Sequence, residues 1–113
     1  MAISVDQIQP FVRIQRINGA AFADPVNLDR AVDNVFIVSV NPAADSITYQ
    51  VQLAADASSV VAPTGVAGGG ALRTFTIGQN TLAANSEFLL RVTKSSATND
   101  QAAMAEVTLT TGA

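Results

Sequence analysis

The 113-residue chain is 49% hydrophobic and 13% charged, has no Cys, His or Trp, and carries six basic against nine acidic side chains, for a formal net charge of −3. Without Cys or His it has no thiol or imidazole nucleophile, no disulfide and none of the usual zinc or haem ligand sets. An acidic chain whose basic residues come no closer than Arg13 with Arg16 and Arg91 with Lys94 lacks the clustered cations of a nucleic-acid surface.

The N-terminus, MAISVDQIQP, has neither the basic nor the apolar region of a signal peptide. No apolar run approaches the roughly 18 residues of a membrane-spanning helix. The expectation is a soluble chain made without a leader and without membrane contact. Residues 1–24 nevertheless hold Ile3, Val5, Ile8, Phe11, Val12, Ile14 and Ile17, too many apolar side chains for an idle tail. Phe11 to Ile17 has strand propensity with Arg13 and Arg16 among its apolar positions, and Asn18-Gly19 is a turn signal. Two roles fit: an extra strand of the same domain, or an arm that adds to the sheet edge of a neighbouring subunit. Side-chain burial alone does not offset the entropy of ordering so long a segment, so it needs a strand or surface to pair with. The chain therefore divides into residues 1–24, arm or extra strand, and residues 25–113, the main domain.

Beyond residue 25, apolar residues recur at period two in short runs separated by Gly, Pro, Asn and Asp, the pattern of antiparallel β structure. In 34–40, Phe36, Val38 and Val40 point inward and Val35 and Ile37 outward. A turn at 41–46 leads to 47–53, with Ile47, Tyr49, Val51 and Leu53 inward and Thr48, Gln50 and Gln52 outward. Residues 54–71 are small, nearly uncharged and contain Gly68-Gly69-Gly70, and read as a long mobile loop. This glycine run is no phosphate cradle, because it lacks the preceding strand, following Lys and helix that such a loop requires. Three further strands are predicted at 72–77, 87–93 and 104–110. Their inward residues are Phe75 and Ile77, then Phe88, Leu90 and Val92, then Ala105, Val107 and Leu109, with a hairpin over 95–102. The fold class is all-β, an antiparallel two-sheet sandwich.

Over residues 25–111 the pattern resembles a fibronectin type III or closely related immunoglobulin-like domain. Pro25-Val26-Asn27-Leu28 resembles that family's opening strand. Phe36-Ile37-Val38-Ser39-Val40-Asn41-Pro42 resembles its second strand, with Val40 where the family has Trp. Ser46-Ile47-Thr48-Tyr49-Gln50-Val51-Gln52-Leu53 resembles the third. Leu82, followed by the run from Ala83 through Glu87-Phe88 to Val92, resembles the approach to the tyrosine corner, with Phe88 replacing the Tyr. The resemblance implies a spacer, an adhesion module, an add-on domain of an enzyme, or a bacteriophage head or tail component. Function does not follow from such a fold alone. The excess of five Arg over one Lys, Lys94, and the abundance of Ala are in keeping with a GC-rich bacterial or phage genome.

Acid–base chemistry would fall to Asp6, Asp24, Asp29, Asp33, Asp45, Asp56, Asp100, Glu87 and Glu106, which are scattered, mostly beside turn residues, and form no motif. No Asp-x-Asp-x-Asp-Gly calcium loop occurs. Sugar binding wants exposed aromatic platforms, whereas Tyr49, the single Tyr, falls on the core face. The expectation is therefore a non-enzymatic protein without cofactor, metal or catalytic residue, working by assembly through Ile3, Val5, Ile8, Phe11, Arg13, Arg16, Ile17, Val35, Ile37 and Leu89. A competing expectation is that the N-terminal segment of the same chain covers Val35, Ile37 and Leu89. The expected setting is a bacteriophage virion, as a capsid decoration (cement) or tail protein. Partners would be further copies of the chain, in a homo-oligomer, or capsid or tail proteins. The alternatives are an adhesion or polysaccharide-binding module, and an extracellular filament subunit with a strand-donating arm.

Overall fold

The computed structural model describes residues 11–41, 46–66, 68, 70–95 and 103–112. Nine strands are described: β1 (Phe11–Ile17), β2 (Ala20–Ala21), β3 (Val26–Leu28), β4 (Asn34–Asn41), β5 (Ser46–Leu53), β6 (Ser59–Gly65), β7 (Leu72–Ile77), β8 (Glu87–Ser95) and β9 (Ala103–Thr111). They form two sheets, ordered β2-β1-β4-β7 and β3-β9-β8-β5-β6. Pairing is antiparallel except for β3, which runs parallel to β9. The protein is an all-β two-sheet sandwich.

The core follows from the alternation. Phe36, Val38 and Val40 of β4 and Phe75 and Ile77 of β7 line the inner face of the first sheet. Ile47, Val51, Phe88, Leu90, Val92, Val107 and Leu109 line that of the second. Phe36 stacks on Phe75 with ring centroids 5.0 Å apart, and Tyr49 stacks on the same Phe75 at 4.2 Å. Tyr49 belongs to the opposite sheet, so this three-ring column ties the two layers together.

Residues 11–21 are part of this domain. β1 pairs with β4 from Phe11 opposite Asn41 to Ile17 opposite Phe36. It then turns back through Asn18 and Gly19, both at positive φ, into β2. Two consecutive left-handed residues make the tight hairpin for which Asn-Gly is suited. A register shift between Ile14 and Arg16 marks a bulge at Gln15. One extra residue flips the alternation, so Val12, Ile14 and then Ile17, rather than residue 16, face the core. Of the two roles open to residues 1–24, the described part, β1 and β2, takes that of extra strands of the same domain, so the folded unit begins no later than Phe11. Ile3, Val5, Ile8 and Asp6 lie outside the described residues, as do residues 42–45 of the predicted 41–46 turn and residues 96–102 of the hairpin.

A correction concerns residues 54–71. Instead of one long loop, they contain β6, an edge strand paired with β5 through two register irregularities. Val60 and Val61 pack against the core. Pro63 is tolerated because β6 is an edge strand, where a missing N–H disrupts no second ladder. The β5–β6 turn is closed by the Leu53 N–H donating to Ser58 O, and by Ala57 at positive φ donating its N–H to Leu53 O.

Asp56 fastens this turn, accepting hydrogen bonds from Ser58 Oγ at 2.7 Å and Ser58 N at 3.0 Å. The Ser58 side-chain bond, followed by the backbone bond, holds its carboxyl below the ordinary value of 3.8. A carboxylate held low in the fold adds stability that is present above its unfolded value and lost as pH falls through the folded one. Replacing Asp56 by Ala is therefore expected to lower the melting temperature slightly at neutral pH. The difference from the parent should vanish as pH drops below 3.8. Thermal melts across the acid range check this.

Two inward positions are cationic. Arg73 of β7 is 3% exposed and Lys94 of β8 is 0% exposed. Lys94 continues the inward series Phe88, Leu90, Val92, and Arg73 precedes Phe75 and Ile77 on the inner face of β7. Arg73 Nε donates to Gly70 O at 3.0 Å, which ties the glycine-rich connection to the strand it feeds.

Candidate interaction surface

The sandwich exposes two sheet faces of different character. On the first sheet, cross-strand register aligns the outward residues in rows: Arg16, Ile37 and Thr74; Arg13, Ser39 and Leu72; and Val35 with Thr76. Leu72 is 65% exposed and Val35 37%, while Ile37 and Phe11 are half-buried. The Arg13 guanidinium lies over the Phe11 ring, 4.1 Å from its centroid, covering part of that ring and holding the charge at the surface. Gln15 Nε2 donates to Ser39 Oγ at 2.8 Å across β1 and β4. This face carries apolar side chains and two arginines, and the described strands include no acidic residue on it.

The outward face of the second sheet is more polar. Thr48, Gln50 and Gln52 of β5 stand opposite Thr93, Arg91 and Leu89 of β8, which in turn face Met104, Glu106 and Thr108 of β9. Arg91 and Glu106 form an ion pair at 2.8 Å. Leu89 is half-buried between Gln52 and Thr108.

These positions sort the expected contact residues. Phe11, Arg13, Arg16, Val35 and Ile37 share the outer face of the first sheet. Leu89 lies on the opposite side of the sandwich and forms no surface with them. Ile17 is 4% exposed and belongs to the core, so it is withdrawn as a contact residue, because the bulge at Gln15 turns it inward. Leu72 was missed. It begins β7 next to the glycine run, and alternation from Phe75 and Ile77 places it with Arg73 inward and itself on the exposed side.

Along the side of the sandwich where β1 and β9 approach one another, a groove of about 320 Å³ opens between the sheets. Val12, Ile14, Phe22 and Ala105 are among its lining residues, together with Arg13 and Glu106. Phe22 is 42% exposed. Its position, in the crossing from β2 to β3, gave no periodic signal in the sequence.

Several described carboxylates have local partners. Asp29 Oδ1 accepts from Ala31 N, Asp33 Oδ1 from Gln79 N, and Asp24 Oδ1 from Thr108 N. These bonds pin the connections between strands. Among the described residues no three Asp or Glu side chains gather where a metal ion could be held. A second depression of about 410 Å³, at the end of the sandwich near Leu53 and Asn85, contains a single carboxylate, Glu87. Comparison with known protein families and with curated protein sequences returns no match.

Proposed function

We propose that this chain is a non-enzymatic assembly protein, an immunoglobulin-like or fibronectin type III-like sandwich that works through protein–protein contacts. The strand order supports the family resemblance. β1, β4 and β7 lie together as the first, second and fifth strands of an immunoglobulin-like sandwich do, and β5, β8 and β9 as the third, sixth and seventh. β3 corresponds to the second half of a first strand divided between the sheets. In this reading the divergence of the core, Val40 and Phe88 in place of Trp and Tyr, is accommodated by the Phe36, Phe75 and Tyr49 column.

The observation that carries the assembly reading is the outer face of the first sheet, where Ile37 stands in register with Arg16, Leu72 lies in the row of Arg13 and Ser39, and exposed Val35 shares the same face. Apolar residues with interspersed Arg are the composition enriched at the centre of protein interfaces. The setting we infer is a bacteriophage particle, with the chain decorating a capsid or forming part of a tail. The partners would be further copies of itself or the particle's own proteins, and neither nucleic acid nor a membrane takes part. An antibody against the chain is expected to label particles purified from the producing culture in electron micrographs. Label confined to the soluble fraction, with bare particles, would contradict the virion setting.

A further inference from the structure

The groove between β1 and β9 has the form of a place for one more strand. Along the outer edge of β1, β2 pairs only with Arg16 and Ile17, and Gln15 O accepts from Phe22 N at 3.1 Å. Along the outer edge of β9, β3 pairs only with residues 109–111, and Thr108 N donates to Asp24 Oδ1 at 3.1 Å. Among the described residues no strand pairs with 11–14 of β1 or 103–107 of β9 on this side. Two half-open sheet edges thus flank a groove lined by Val12, Ile14, Phe22 and Ala105. An open edge beside an apolar floor is the arrangement that strand addition completes, with backbone bonds giving affinity and alternate side chains filling the floor.

We propose that this groove accepts residues 1–10 of a second copy of the chain, added as a strand along the free edge of β1. This rests on the assembly reading above and adds a contact separate from the outer face of the first sheet. Three features of the donor match the acceptor. Ile3 and Val5 have the same two-residue spacing as Val12 and Ile14, the buried apolar pair that lines the groove. At about 3.3 Å per residue, the free edge of β1 over residues 11–14 is about 13 Å long, a length that the six residues from Ile3 to Ile8, about 20 Å, can cover. Asp6 is the single charged side chain in 1–10, and strand alternation sets it on the face opposite Ile3 and Val5, the face on which β1 carries exposed Arg13 and Arg16.

A donor from another copy fits better than the segment preceding β1 in the same chain. To run back along its own β1, the chain must reverse at Gln9-Pro10, and that pair has no Gly or Asn for the left-handed residues of a two-residue hairpin turn. Donation from one copy into the next is a head-to-tail contact, which closes as a ring or continues as a filament.

Complementation between two full-length variants tests this. Ile3→Asp with Val5→Asp disables the donor and leaves the groove intact. Phe22→Asp disables the groove at an exposed position and leaves the donor intact. Light scattering after gel filtration is expected to give multiples of the 11.6 kDa chain for the parent, single chains for each variant alone, and a two-chain species when the variants are mixed. Melting temperatures of the two variants should match each other, confirming that both are folded. If both variants assemble as the parent does, the groove is not the contact, although assembly through another surface stands. Variants that stay single when mixed overturn the head-to-tail arrangement. A single-chain parent that loses thermal stability on Ile3→Asp with Val5→Asp shows the groove filled by the chain's own segment, and overturns the proposal.

Discussion

A chain beginning at Pro25 is expected to be unfolded. The deletion removes β1 and β2, and with them Val12, Ile14 and Ile17, each no more than 6% exposed in the core. At about 1.5 to 3 kcal/mol per buried aliphatic side chain, this loss alone comes to about 5 to 9 kcal/mol. A domain of this size has a total stability of about 5 to 15 kcal/mol. The deletion also strips β4 of its partner on one side, leaving Phe36, Val38 and Val40 beside an open edge. Far-UV circular dichroism and a thermal melt check this: no cooperative transition is expected. A chain beginning at Phe11 retains every described strand and is expected to melt cooperatively.

The largest single-residue effect is expected at Phe36. Its ring is 0% exposed, stacks on Phe75 at 5.0 Å, and sits in the β4 strand that pairs with both β1 and β7. Phe36→Ala removes the buried ring and leaves a cavity, at a cost of about 3 to 5 kcal/mol. Because Tyr49 stacks on the other face of Phe75, the same substitution loosens the column joining the two sheets. Denaturant titration is expected to show a lower midpoint with a similar slope, which marks lost stability rather than a changed denatured state. Leu72→Ala, at a 65% exposed position, should leave that midpoint nearly unmoved.

Most of the sandwich was legible in the alternation of β4, β5, β7, β8 and β9, because each has one face in the core and one in water. The Asn18-Gly19 turn was legible for a different reason, since few sequences accommodate two successive left-handed residues. β6 was hidden because its small residues, Pro63 and neighbouring glycines carry a loop composition. What makes it a strand is the free edge of β5, a tertiary feature. The bulge at Gln15 was hidden too, and it decides which of Arg16 and Ile17 faces inward. Arg73 and Lys94 continue the inward alternation of β7 and β8 although charged residues ordinarily face water, so neither was legible as an inward position. The groove could not be read from sequence, because it arises from two short strands, β2 and β3, each covering only part of a longer neighbour.

Surface and fold together make self-association the central expectation for this chain. Sedimentation velocity of the intact protein over a wide concentration range tests it most directly. A species larger than 11.6 kDa that grows with concentration or persists as a closed multimer is expected. A single 11.6 kDa species at every concentration would contradict it.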